Sequence, residues 1–186
     1  MHRSWRWMTQ EGRGVEYLAL TATGDGCVAQ GVVVGPDAGP LYTGALFGCS
    51  YTIGCDAQWR VRQVDVQVAG GAHLILRADG QGRWRGKDGA PLPLLDGCID
   101  VDLTCTPFTN TLPIRRLDDA LCERQEITVA YITLPEASVM PSRQAYTKLG
   151  ANRYLFESIS NPFRAEIDTD ADGFVLHYPG LFDCAG

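Results

Sequence analysis

Short runs of alternating apolar and polar residues, cut again and again by Gly and Asp-Gly, confine this chain to an antiparallel, all-β architecture. Residues 14–21 and 27–34 flank Thr23-Gly24-Asp25-Gly26, a strong hairpin signal. A third run covers residues 41–53. In residues 58–68, Trp59 and Val61 fall on one parity and Val64, Val66 and Val68 on the other. A single β-bulge near Gln63 places all five on one face and bends the strand. Further strands are expected at 72–77, around Arg83-Trp84-Arg85, and at 125–134, 144–148, 153–158, 163–168 and 174–178. Asp79-Gly80, Asp88-Gly89 and Asp172-Gly173 supply turns. About ten or eleven strands with almost no helix point to an antiparallel sheet curled into a barrel or half-barrel. Residues 118–124 are the one plausible helical turn or two.

A chain of 186 residues fits one domain over residues 1–186, since no linker or repeat divides it. Hydrophobic residues at 45 % and charged residues at 20 % place it among globular proteins rather than disordered ones. A net charge of −6 argues against a nucleic-acid partner. No apolar stretch approaches the ~20 residues of a transmembrane span, and the N-terminus carries no secretory signal, so the cytoplasm is the expected location. The seven cysteines form no Cys-x-x-Cys pair, which predicts free, mostly buried thiols rather than a disulfide framework or a metal site. No P-loop, dinucleotide fingerprint or nucleophile elbow is present, and no cofactor is expected. Oligomeric state is not legible.

The segment Thr106-Pro107-Phe108-Thr109-Asn110-Thr111-Leu112-Pro113-Ile114-Arg115-Arg116-Leu117 stands apart. Two prolines argue against a helix or a central strand, so the segment is expected to be extended, irregular and suited to binding. Thr106, Thr109, Asn110 and Thr111 offer hydrogen bonds to a polar head group. Arg115 and Arg116 offer guanidinium forks to an oxyanion. Just upstream, Asp100 and Asp102 share one side of a strand, and Asp96 lies in an Asp-Gly turn. These carboxylates either act in a site or pair with Arg115 and Arg116 to brace the loop. Asp170-Ala171-Asp172-Gly173 opens like a calcium loop, but Tyr178 stands where the closing Glu belongs, so it reads as a hairpin turn. Trp59, Trp84, Tyr131, Tyr146, Tyr154, Phe156 and Tyr178 lie on strands that can face a barrel interior. They either pack a core or line a cavity, with Trp84 and Tyr146 the candidates for ligand contact.

The run from Leu95 to Leu103 followed by Thr106 to Leu117 resembles the central signature of a bacterial family, the putative glycolipid-binding family, formerly a domain of unknown function. Gly80-x-Gly82-x-Trp84, Val129-Ala130-Tyr131-Ile132 before Pro135, Gln144-Ala145-Tyr146-Thr147 and the ending from Asp172 to Phe182 match as well. The resemblance implies an unclosed barrel or strongly curved sheet, similar to bacterial lipoprotein carriers, and a lipid or glycolipid ligand. The leading expectation is therefore a non-enzymatic protein that holds an amphiphile in the concave face of the sheet. A hydrolase acting on a glycosyl or lipid ester substrate through Asp100 and Asp102 is the alternative. An interaction module using residues 125–134 as an exposed sheet edge is a third reading.

Overall fold

The computed structural model describes residues 2–36 and 44–185. Part of the expected third run, residues 41–43, lies outside the described residues. The amino-terminal half is a meander of seven strands: β1 (His2–Thr9), β2 (Val15–Thr23), β3 (Gly26–Pro36), β4 (Leu46–Asp56), β5 (Val61–Val68), β6 (His73–Ala78) and β7 (Trp84–Arg85). The other half contains β8 (Asp100–Leu103), helix α1 (Phe108–Leu117), a 3-10 turn at Asp118–Cys122, β9 (Gln125–Thr133) and β10 (Ser138–Gly150). It ends with β11 (Arg153–Ser158), β12 (Arg164–Thr169), β13 (Val175–Tyr178) and β14 (Phe182–Cys184). All fourteen strands join one sheet in the order β7-β6-β5-β4-β3-β2-β1-β14-β13-β12-β11-β10-β9-β8. The sheet curves strongly but does not close, leaving β7 and β8 as its edges. The expected all-β, unclosed architecture is therefore the one observed.

Inward parity builds the core. In β2, Glu16, Leu18 and Leu20 are buried while Val15, Tyr17 and Thr21 face outward. The parity switch in β5 is resolved by one extra residue. Gly54 pairs with Gln63 and Cys55 with Val61, so Arg62 bulges out while Val61, Val64, Val66 and Val68 all face in. Trp59 precedes the strand in a turn capped by the Asp56 carboxylate and packs half-buried against the same core. The turn at Asp170 to Gly173 is likewise a hairpin, held by Asp170 Oδ1 accepting from the Asp172 and Phe174 amides. Of the seven thiols, all free, only Cys122 is exposed.

The sequence-based expectation fails most clearly at residues 106–117. Phe108–Leu117 of this segment form a ten-residue helix with Pro113 inside it, and Phe108 through Ile114 are all buried. β8 and β9 are the one parallel pair described, and a parallel pair needs a crossover rather than a hairpin. Helix α1 is that crossover, laid over the concave face. Pro113 lacks the N–H that would bond the Thr109 carbonyl, a loss that costs about 3 kcal/mol in a free helix. Burial outweighs it. Phe108 stacks on Phe174 at 6.2 Å between ring centroids, and Phe174 stacks on Trp5 at 3.8 Å. At the start, the Thr106 hydroxyl accepts from the Phe108 amide at 3.0 Å, satisfying one orphan donor. At the end, Asp118 takes φ of 43° and its amide closes on the Ile114 carbonyl, while Arg115 and Arg116 complement the helix dipole.

Residues 125–134 are not an edge: β9 lies between β8 and β10. The edges are instead short, two residues in β7 and four in β8, and the chain between them spans the opening. There the Gly97 amide bonds the Gly82 carbonyl at 2.9 Å, and Trp84 Nε1 donates to the Cys98 carbonyl at 2.7 Å. Gly82 has φ of 90°, and a Cβ on it would stand 2.9 Å from the Gly97 Cα, so the close approach requires glycine.

Candidate functional site: a cleft on the concave face

Helix α1 and the residues leading into it carry side chains of the 106–117 segment into three separate polar clusters. In the first, Arg116 forks onto Asp100, with Nε to Oδ1 at 3.0 Å and Nη2 to Oδ2 at 2.5 Å. The Asp100 side chain is fully buried and that of Arg116 is 17 % exposed. Burial pushes the Asp100 carboxyl up, and the guanidinium pulls it back toward the ionised form. This pair braces helix against strand, as one of the two readings of the acidic run anticipates. Arg115 turns elsewhere, donating to the Asp172 carbonyl at 3.3 Å and lying 5.1 Å over the Trp59 ring.

The second cluster lies beneath the helix start. Tyr51 donates to Glu16 Oε1, and the Thr106 hydroxyl donates to the same oxygen at 2.8 Å. Tyr51 reaches this position because its cross-strand partner is Gly31, where any Cβ would collide with the ring. Glu16 is 2 % exposed, its other oxygen has no partner, and burial pushes its carboxyl from 4.5 up to about 8. Glu16 was not singled out from the sequence, although its parity with Leu18 and Leu20 already marks it as inward.

The third cluster opens on solvent. Asp102 accepts from Gln144 Nε2 at 2.5 Å and from the Thr109 hydroxyl at 3.2 Å. Burial raises its carboxyl, and these two donors oppose the rise. Beside it Tyr146 donates to Asn110 Oδ1 at 2.9 Å, and Asn110 Nδ2 donates to the Pro107 carbonyl at 3.2 Å. Asp102, Gln144, Thr106 and Asn110 all line a cleft of about 730 Å³, a size typical of small-molecule sites. Its buried walls are Phe156, Tyr178 and Phe182, with half-buried Tyr131; Met140, Asn161 and Phe163 form an exposed rim. Phe156, Phe163 and Tyr178 lie 6.0 to 6.3 Å apart as an aromatic group.

Of the residues expected in a site, Asp102, Thr106 and Asn110 line this cleft. Thr109 and Tyr146 sit one hydrogen bond behind it. Asp100, Arg115 and Arg116 do not line it, and Thr111 is fully buried with an unpartnered hydroxyl. Trp84 is core at the opening between the sheet edges, and Asp96 is an exposed residue of the turn beside it. Of the other cleft residues, Ser158, Ser160, Asn161, Pro162 and Phe163 carry no sequence signal that marks them as a site, and Gln144 carries only its strand parity with Tyr146. The paired carboxylates that a glycosidase uses are not assembled here, since Asp102 is the single carboxylate lining the cleft among the described residues.

An open half-barrel whose concave face carries one helix and one mixed polar and apolar cleft is the class of protein this fold defines. The chain belongs to the putative glycolipid-binding family, whose model matches residues 4–184. It is similar to a DUF1089 family protein from Pseudomonas aeruginosa of known crystal structure, at 39 % identity and a TM-score of 0.78. The match covers 90 % of this chain and 91 % of that one. A comparison with curated proteins finds no match. No helix among the described residues is long and apolar enough to cross a membrane.

Proposed function

We propose that this protein binds an amphiphile, such as a glycolipid, in the cleft between α1 and the carboxy-terminal half of the sheet. The observation that carries the reading is the division of the cleft lining. Polar groups of Asp102, Gln144, Thr106 and Asn110 converge beside α1, while Phe156, Phe163, Met140 and Phe182 supply apolar surface away from it, with Ser142, Ser158 and Asn161 as further polar points. A head group fits against the first set and an alkyl chain against the second. Each good neutral hydrogen bond contributes ~1 kcal/mol, and each buried methylene ~0.8 kcal/mol, so the chain supplies most of the affinity. The family's name agrees with this reading.

Displacement of an uncharged lipophilic dye by decyl glucoside tests it. Ser158, half-buried on the cleft wall, is the place to block. The wild type is expected to take up dye and release it to the glucoside, and Ser158→Trp to do neither at an unchanged melting temperature. Equal dye uptake by both proteins would place binding elsewhere.

A further inference from the structure

We propose that the cleft selects amphiphiles with uncharged, hydroxyl-bearing head groups, as in a neutral glycosyl lipid, and excludes those with anionic heads. This rests on the binding reading above and adds the chemistry of the head group. Among the described residues that line the cleft there is no Arg, Lys or His. An oxyanion entering it gives up its water and meets no cation in return, which is the costly arrangement for a buried charge. The arginines closest to it turn elsewhere: Arg143, between the lining residues Ser142 and Gln144, pairs with Glu126, Arg116 with Asp100, and Arg115 lies on Asp172 and the Trp59 ring. The ionisable groups that do face the cleft oppose an anion or ignore it. Asp102 is acidic, Tyr131 is pushed up to about 12 and Tyr178 well above the usual phenol value, so both phenols stay neutral.

What the cleft offers instead suits hydroxyls, each of which both donates and accepts. Amides come from Gln144, Asn110 and Asn161, and hydroxyls from Thr106, Ser142 and Ser158. Asp102 spends one acceptor site of each oxygen, Oδ1 on Thr109 and Oδ2 on Gln144. A carboxylate has about four such sites, so one on each oxygen remains, spaced to accept from two neighbouring hydroxyls of one sugar ring. Asp102 beside aromatic rings also resembles a seat for a quaternary ammonium. The polar groups around it, however, are hydrogen-bonding partners that an alkylated ammonium cannot use and must desolvate.

Three probes of equal chain length separate these chemistries: decyl glucoside, decyl phosphate and decyltrimethylammonium, each titrated calorimetrically into the full chain below its micellar concentration. The glucoside is expected to bind at least tenfold more tightly than either ion. Asp102→Asn is expected to weaken the glucoside about tenfold and to narrow its advantage over the phosphate. Ser158→Lys, which leaves the Asp102 cluster intact, is expected to gain affinity for the phosphate. Phosphate or ammonium binding as tight as the glucoside's in the wild type would overturn the selectivity and leave amphiphile binding standing. No response to any of the three would bring down both.

Discussion

Glu16 occupies an inward position of β2 where an apolar residue would ordinarily stand, and the fold keeps it by keeping its proton. Its folded carboxyl titrates at about 8 against 4.5 when exposed, because burial disfavours the charge more than Tyr51 and Thr106 favour it. Between those values the folded state holds one proton more than the unfolded chain, so stability falls as pH rises through that window. The contribution is intact below about pH 4.5 and lost above about pH 8, a swing of up to about 5 kcal/mol. Glu16→Gln is expected to flatten the dependence and to be more stable than the wild type at pH 9. Urea unfolding at pH 5, 7 and 9 checks this, and an unchanged slope would refute it. Burial raises the Asp100 carboxyl too, but there the Arg116 guanidinium supplies a charged partner that Glu16 lacks. Arg116→Ala strands a buried carboxylate and is expected to cost ~3–5 kcal/mol, with Asp100→Asn in the same chain recovering part of the loss. Thermal melts of the single and double variants measure it.

At the scale of elements, Gly82 and the opening between β7 and β8 give a matched pair of predictions. Gly82→Ala adds a Cβ 2.9 Å from backbone in a positive-φ conformation and is expected to cost roughly 1–3 kcal/mol. Gly89→Ala has comparable φ but open space around it and should cost less. Element types were legible in the sequence where alternation was long. The β2–β3 hairpin, the bulge ahead of Gln63 and the Asp172-Gly173 turn all follow from parity and turn chemistry. Other strands hid for identifiable reasons. β1 mixes arginines with its two inward tryptophans, the first half of β10 contains Pro141, and β14 has only three residues. Helix α1 hid because local propensity spoke against it. Pro113 opposes a stable isolated helix, whereas Pro107 stands harmlessly at the N-cap, and the parallel β8–β9 crossover and the burial of seven side chains impose the helix. The candidate site was legible in part for the same reason. The sequence marks the 106–117 segment as chemically rich, but helical winding sends Arg115, Arg116 and Thr111 away from the cleft that Asn110, and Thr106 just ahead of the helix, line.

For the molecule as a whole, an unclosed sheet of fourteen strands leaves more concave surface than one helix covers, and the cleft is the uncovered remainder. A ligand that binds there only in the folded state must raise stability, by ~2.7 kcal/mol at a hundred times its dissociation constant. Decyl glucoside is therefore expected to raise the melting temperature of the wild type in a concentration-dependent way and to leave Ser158→Trp unmoved. The most direct measurement is native mass spectrometry of the chain purified without detergent, followed by solvent extraction of whatever it carries. A stoichiometric, uncharged glycosylated lipid on the wild type and none on Ser158→Trp is the predicted result. An apo mass for the wild type after incubation with neutral glycolipids, or the same lipid held equally by both proteins, would contradict amphiphile binding in this cleft.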